Sequence, residues 1–231
     1  MNGSRLSTSN DGGVASEAQK GRGGSLTRER IVQAALDIVD REGLRGLSMR
    51  RLGAELGVDP MAAYYHVPNK EALLDAIVEA VMAEIDLAGD DPSAPPEERI
   101  LIAARAYRDV LLAHASAVPI VLSRGPSTPQ AMRPVELLTG ILRDAGLPPA
   151  QALAGMNAIA ATVRGTVGMV ADGPAEAPTP EQMAALAARF SPEEFPNLSE
   201  AALCSPDFMG ADFEFGIRAL ARGLLSSVGD V

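Results

Sequence analysis

The chain has 231 residues, 47% of them hydrophobic and 22% charged. This balance excludes disorder of the whole and suffices for a substantial core, as one medium domain or a small domain joined to a larger one. No apolar run reaches the roughly 20 residues of a membrane span, and the N-terminus lacks the apolar stretch of a signal peptide, so a cytoplasmic protein is expected. The net charge of -10 argues against a DNA binder until it is divided: residues 1–70 hold ten Lys or Arg against eight Asp or Glu, and residues 71–231 ten against twenty-two. Positive charge is concentrated at the N-terminal end, while the acidic remainder repels nucleic acid and confines contact to a local patch.

Taken in order, residues 1–25 are rich in Gly, Ser and polar side chains and read as a flexible arm, with Lys20 and Arg22 as its only basic groups besides Arg5. Thr27 is an N-cap for a first helix whose apolar face repeats Ile31, Ala34, Ala35, Ile38 and Val39, and Gly43 ends it. Ser48 caps a second, short helix to Leu56 with Met49, Leu52 and Leu56 as its apolar positions, and Leu47 before the cap is placed to pack on Leu52. Gly57 supplies the permissive turn. Asp59 then caps a third helix with Pro60 at its first position, where a missing N–H costs nothing. That helix runs only to about His66, because the residue before Pro68 is pushed out of helical geometry and Asn69 caps the next one.

Two short helices around a tight turn, followed by a third start at Asn69-Lys70, form the grammar of a helix-turn-helix reader of DNA. Met61 and Ala62 are small or flexible enough to meet thymine methyls, while Tyr64, Tyr65 and His66 offer donors to phosphate oxygens. Arg50 suits the bidentate recognition of a guanine edge, and Arg51 adds charge beside it. Lys70 stands at a helix N-terminus, where free N–H groups and the dipole already favour a phosphate. With the caps Thr27, Ser48 and Asp59, these residues make up the expected DNA-binding set. Tyr64 and His66 also fit buried or packed positions, and the arginines fit an ordinary solvated face.

Beyond the head the pattern stays helical, with no strand alternation and no internal repeat. A fourth helix, about residues 69–88, repeats Leu73, Leu74, Ile77, Val78, Val81, Met82 and Ile85. The segment DDPSAPP, residues 90–96, is a boundary loop, and a helix follows from Glu97 to about Ala115. Pro119, Gly125 and Pro126 break the next stretch into a short helix and a turn. Further helices are expected at about 128–145, 149–171, 180–190 and 207–227, with a mobile loop over 173–179. The helix from Pro149 carries Ala152, Ala154, Gly155, Ala158, Ala161 and Gly165, small residues that permit close approach of another helix. The last helix is broadly apolar through Phe213, Phe215, Ile217, Leu220, Leu224 and Leu225. Pairing of two subunits is the functional reading of both, and intramolecular core the other.

These segments resemble the TetR family of bacterial transcriptional repressors. The likeness begins at LTRERIVQAALDIVDREGL and continues through LSMRRLGAELGV and YYHVPNKEALLDAI. The stretches LLAHASAVPIVLSRGP, GMNAIAATVRGTVGM and DFEFGIRALARGL resemble the core of the tetracycline-repressor branch, so that the likeness covers about residues 26–226. It implies an all-α fold, with a flexible arm over 1–25, a three-helix helix-turn-helix domain over 26–72 and a larger helical ligand-binding and dimerisation domain over 73–231. It places Arg50, Met61, Tyr64, Tyr65, His66 and Lys70 on DNA-contacting positions of the family. One departure is the helix DPMAAYYH, in which Met61 and Ala62 stand where the tetracycline repressors carry other base-contacting residues, so a different operator is expected.

The same resemblance implies a homodimer that reads a palindrome in double-stranded DNA and is released by a small molecule bound in the core. Val121 aligns with the histidine by which tetracycline repressors hold drug-bound magnesium, and Ala103 and Leu138 replace polar drug contacts, so magnesium-tetracycline is not the expected effector. An apolar effector is expected instead, polycyclic or acyl-bearing, in a pocket drawn from Tyr107, His114, Val121, Arg124, Met132, Leu138, Asn157, Arg164 and Met169. No cofactor and no metal are expected: the two histidines are isolated, and Cys204 is the only cysteine. Cys204 reads as an inert thiol. No nucleophile elbow, metalloprotease helix, phosphate loop or dinucleotide fingerprint points to an enzyme. The rival reading is a helical dimer that sequesters a small ligand without reading DNA.

Overall fold

The structure, a computed structural model, describes residues 25–171 and 210–228, together with 179, 181, 182, 185, 188, 189, 191–197, 199 and 200; of 169–171 and 210–212 only the backbone is described. The arm over 1–24, Cys204, most of the expected helix over 180–190 and most of the loop over 173–179 lie outside the described residues. Among the described residues there is no strand, and no helix is long and apolar enough to cross a membrane.

Local chemistry sets the boundaries of the first helices. Helix α1 (Arg28–Glu42) starts where the Thr27 hydroxyl accepts the Arg30 N–H at 3.2 Å, and it stops at Gly43, whose φ of 70° only glycine adopts readily. A 3-10 turn, Leu44–Gly46, precedes α2 (Met49–Leu56), which the Ser48 hydroxyl caps through the Arg51 N–H at 3.1 Å. Leu47 and Leu52 are both buried, as expected of a residue before the cap packing on the first turn. Gly57 closes α2 in the left-handed region, and the Asp59 carboxylate accepts the Met61 N–H at 2.8 Å to open α3 (Pro60–Tyr64). Helix α3 ends at Tyr64, two residues earlier than the pattern suggested. The Ala63 carbonyl accepts both the His66 and the Val67 N–H, which turns the chain, and the buried side chains of Ala63 and Val67 hold that turn in place.

Helix α4 (Lys70–Ala83) is capped by Asn69 and buries Leu73, Leu74, Ile77, Val78, Val81 and Met82. It stops five residues short of the expected end. The Glu84 N–H bonds the Val81 carbonyl in a tightened last turn, and the Asp86 carboxylate accepts the Ala88 N–H, a local alternative to the helical ladder. The core is built from α5 (Pro96–Ala113), α6 (Val118–Ser123), α7 (Arg133–Asp144), α8 (Pro149–Ala171) and α9 (Gly210–Ser226). Helix α7 begins later than expected because residues 128–132 form a turn, in which the Thr128 N–H and hydroxyl are used elsewhere.

In the head, α1 packs on α2 and α4, and α2 on α3; in the core, α5 packs on α7, α8 and α9, and α7 and α9 both pack on α8. Two glycines mark close approaches. A Cβ on Gly155 would lie 3.0 Å from Leu142 Cδ1 and 3.2 Å from the Leu224 methyls, so part of the small-residue stripe on α8 serves the fold itself. A Cβ on Gly53 would lie 3.0 Å from the Val58 carbonyl and 3.1 Å from Pro60. This is the point where α2 and α3 meet.

Head and core are joined by a histidine bridge. His114, just past α5, places Nδ1 2.8 Å from Asp40 of α1 and Nε2 2.9 Å from Glu84 at the end of α4. Both nitrogens can donate only in the imidazolium. Burial of His114 penalises that cation, but the carboxylates of Glu84 and Asp40 outweigh the penalty and raise its pKa above 6.5. The second Asp40 oxygen is buried with no hydrogen-bond partner, so His114 carries most of its compensation.

Two expectations follow from this packing. Gly53→Val should lower stability by about 1–3 kcal/mol through overpacking, read as a fall in melting temperature, with Gly53→Ala milder. A proton held more tightly in the folded state stabilises fully below the unfolded imidazole value, and that stabilisation is lost as pH rises through the raised folded value. The melting temperature should therefore fall between about pH 6 and 8 in the natural protein, and His114→Gln should remove that slope. An unchanged slope in the variant would assign the pH dependence elsewhere.

Candidate functional site

The outer end of the head is built by helix starts. Helix α3 points its apolar Ala63 inward and leaves Met61 64% exposed, Tyr64 37% and Tyr65 91%. These exposed side chains place apolar and aromatic surface at the outer end of the head. Ala62 is half-buried between them. Ser48, Asp59 and Thr27 are the N-caps of α2, α3 and α1, each accepting a backbone N–H with its side-chain oxygen. His66 is exposed at the end of α3 and lies near the start of α1. The Glu29 carboxyl is held low there by its own backbone N–H and the Thr27 hydroxyl, with Arg28 and His66 adding to this.

The two arginines of α2 differ. Arg50 is exposed and takes part in no ion pair among the described residues. Arg51 is held by Glu42 and Glu55, each at 2.7 Å, and Arg41 also reaches Glu55 at 2.9 Å. Hydrogen bonds donated by Arg51 to Glu42 and Glu55 push its pKa further up, and its charge is neutralised within the head. Lys70 donates one of its three protons to the Leu47 carbonyl at 3.1 Å, tying the start of α4 to the residue before the α2 cap. The sequence pattern favours Arg50 for a guanine edge but keeps Arg51 in the DNA-binding set as added charge; the carboxylates that neutralise Arg51 lie four and nine residues away from it.

At the other end of α4, the core encloses a cavity of about 320 Å³. Tyr107 and Ala103 of α5, Val121 of α6, Leu138 of α7 and Met156 of α8 supply walls, Met82 of α4 closes one side, and Met132 and the segment 124–126 close another. The polar groups that line it are Arg124, Asn157, Arg164 and the Tyr107 hydroxyl. Of the expected lining set, Tyr107, Val121, Arg124, Met132, Leu138, Asn157 and Arg164 therefore come together. His114 does not: it sits at the junction with the head, drawn there by Asp40 and Glu84. The Met169 side chain lies outside the described residues. Met82, Leu153 and Met156 line the cavity without having been singled out, since apolar residues on helical faces carry no signal that separates lining from core. Among the described residues no group of His, Cys, Asp or Glu is arranged to hold a metal ion.

The cavity wall is also a clasp on α4. The Arg124 guanidinium pairs with Glu71 and Asp75 and reaches the Glu71 carbonyl at 3.5 Å. One turn further along, the Glu79 carboxylate accepts the Ser127 N–H at 2.5 Å, the Ser127 hydroxyl at 2.8 Å, the Thr128 N–H at 3.1 Å and the Thr128 hydroxyl. Burial disfavours the Glu79 charge, but these Thr128 and Ser127 donors outweigh it and lower its pKa. Glu71, Asp75 and Glu79 are spaced four apart on one face of α4, a signal present in the sequence that pointed to a cationic or donor-rich neighbour.

Comparison with known proteins agrees with this layout. The family description "Bacterial regulatory proteins, tetR family" matches residues 31–77, and "Tetracyclin repressor-like, C-terminal domain" matches residues 91–228. The class A tetracycline repressor from transposon 1721 of Escherichia coli is 33% identical over 210 residues, which is 86% of this chain and 90% of that protein. An HTH-type transcriptional regulator of Saccharopolyspora erythraea is 34% identical over 62% of this chain, and that match spans 60% of the regulator's length. Among solved structures, Streptomyces coelicolor ActR in complex with actinorhodin matches with a TM-score of 0.76 at 31% identity, over 89% of this chain and 100% of that one. With a helix-turn-helix head and a cavity-bearing core both matched, the chain belongs to the TetR family of bacterial regulatory proteins, whose members are transcriptional regulators and not enzymes.

Proposed function

We propose that the protein is a cytoplasmic repressor that holds a palindromic operator as a homodimer and lets go when a small, largely apolar molecule fills the core cavity. The observation that carries this reading is the position of α4. It starts at the exposed face of Arg50, Met61 and Tyr65, packs on α1, and ends with Met82 in the cavity wall.

On the DNA side, Met61 and Ala62 meet base edges, chiefly thymine methyls, and Arg50 reaches a guanine. Tyr64, Tyr65, His66 and the two unspent protons of Lys70 contact phosphates, as do backbone N–H groups at the helix starts. Ser48, Asp59 and Thr27 contribute by fixing those starts, and Arg51 by holding α2 against Glu42 and Glu55. So short a reading helix gives little affinity alone, so a two-fold pair reading two half-sites is required. The surface for that pairing is offered by α8 and α9, where Ala154, Ala161 and Gly165 are exposed and Phe215 is 75% exposed while Phe213 and Ile217 fill the core.

On the effector side, ActR takes actinorhodin, and the tetracycline repressors bear the name of their drug. This chain presents Val121, Ala103 and Leu138 to its cavity, a lining suited to an apolar molecule and not to a hydrated magnesium chelate. A ligand against Arg124, Gly125 and Pro126 presses on the segment that grips α4 through Glu71, Asp75 and Glu79. Only a difference in affinity between the two placements of α4 moves the equilibrium, and weakening operator binding roughly 100-fold needs about 2.7 kcal/mol of such coupling.

Genomic fragments selected by the purified protein should yield a palindrome. On that palindrome Arg50→Ala should weaken binding by roughly 5- to 150-fold in fluorescence anisotropy, with dimerisation and melting temperature unchanged. An unaltered affinity would remove Arg50 from the reading face, and no binding to any fragment at low salt would leave only ligand sequestration. Glu79→Ala should speed hydrogen exchange at the Ser127 and Thr128 amides and shift operator affinity several-fold from a site remote from DNA. Faster exchange with unchanged operator affinity under all effector loads would show that the clasp does not couple the two ends.

A further inference from the structure

Two arginines line the cavity, and their surroundings differ. Arg124 is neutralised from the α4 side by Glu71 and Asp75. Arg164 of α8 takes part in none of the ion pairs among the described residues. Among the described residues no acidic side chain lines the cavity; beyond the arginines, Tyr107 and Asn157, its described walls are Met, Leu, Val, Ala, Pro and Gly. Asn157, Ala160 and Arg164 lie three and four residues apart in turn, on one face of α8, so the amide and the guanidinium present themselves to the same ligand. Across from them, Tyr107 is buried, and burial pushes its hydroxyl up while the neighbouring Arg164 opposes part of that rise. It remains a neutral donor at physiological pH.

This arrangement discriminates between ligand classes. A neutral apolar ligand that filled the cavity would strip water from the Arg164 guanidinium and return nothing, leaving a desolvated cation. A carboxylate returns two charge-assisted hydrogen bonds to the guanidinium fork and accepts a further one from the Tyr107 hydroxyl. The magnesium chelate expected of a tetracycline carries the opposite sign at its metal and would be repelled. We infer that the effector is an amphipathic organic acid, with an apolar polycyclic or acyl body against Val121, Leu138 and Met156 and a carboxylate seated between Arg164 and Tyr107. The inference rests on the core cavity being the effector site and specifies what that site recognises.

The test uses the full chain and two matched pairs: 1-pyrenebutyric acid with its methyl ester, and decanoic acid with decanol, titrated by calorimetry at neutral pH. The acid of the pair that fits should bind about tenfold or more tighter than its neutral partner. Arg164→Met should erase that preference by weakening the acid while the neutral partner binds as tightly or more tightly, since no cation is left to desolvate, and Tyr107→Phe should weaken the acid alone by a few-fold. Melting temperatures report whether the variants fold, and the acid-to-neutral ratio in the unaltered protein tests the inference without any variant. Equal binding of acid and neutral partner, or an equal loss of both in Arg164→Met, overturns the acid assignment and leaves the cavity as an effector site. Failure of all four compounds to bind overturns both.

Discussion

The two faces of α4 constrain everything else in this molecule. Its inner face buries Leu73, Leu74, Ile77, Val78 and Val81 against the head and core, an apolar commitment that fixes the helix in both. Its outer face carries Glu71, Asp75 and Glu79, and these are held by one short segment, Arg124 to Thr128, which also walls the cavity. Apolar packing is non-directional, whereas the carboxylate contacts depend on distance and angle. The helix is thus fixed in place by one kind of force and in register by another. A regulator needs that division, since a ligand can then disturb the register without unfolding the protein.

His114 adds a second tie between the same parts, from α5 to Asp40 of α1 and Glu84 at the end of α4. The Arg124–Thr128 segment holds α4 at Glu71, Asp75 and Glu79, and His114 holds Glu84 just past its end. Between these ties Ile77 and Val78 are fully buried. At the start of α4, Lys70 is bonded to Leu47 immediately before α2, so the first turn of α4 and the start of α2 are joined directly.

Much of this was legible in the sequence because its causes are local. Thr27, Ser48, Asp59 and Asn69 each cap the helix they were expected to cap, since a cap needs only a side chain and an N–H two or three residues on. Gly43 and Gly57 end α1 and α2 by the same kind of short-range logic. The cavity was legible in outline, through helical faces and through resemblance to a known core. What escaped depends on distant partners. Nothing near His114 in the chain signals Asp40, which lies 74 residues away, so a lone histidine on a core helix was read as a pocket residue. Likewise Arg51 was grouped with Arg50, because only the fold brings Glu42 alongside it. The end of α4 was placed too late because apolar periodicity continues through Ile85, while the Asp86 turn that competes with the helix has no periodic signature.

The charge pattern explains why a protein with so acidic a body still needs its head in duplicate. Of the basic residues in the described head, Arg41 and Arg51 are cancelled by Glu42 and Glu55, while Lys70 donates a hydrogen bond to the Leu47 carbonyl and keeps its charge. Pairing of the two arginines within the head leaves fewer cations to meet phosphates and lowers the nonspecific affinity of a single head. Twelve more acidic than basic residues in the remainder of the chain, residues 71–231, lower it further. Low affinity per head has a use. When two weak heads must bind together, the free energy of the second is realised only if the spacing between them matches the half-sites. A change in the spacing of the two heads therefore weakens the dimer's grip by more than it weakens either head alone.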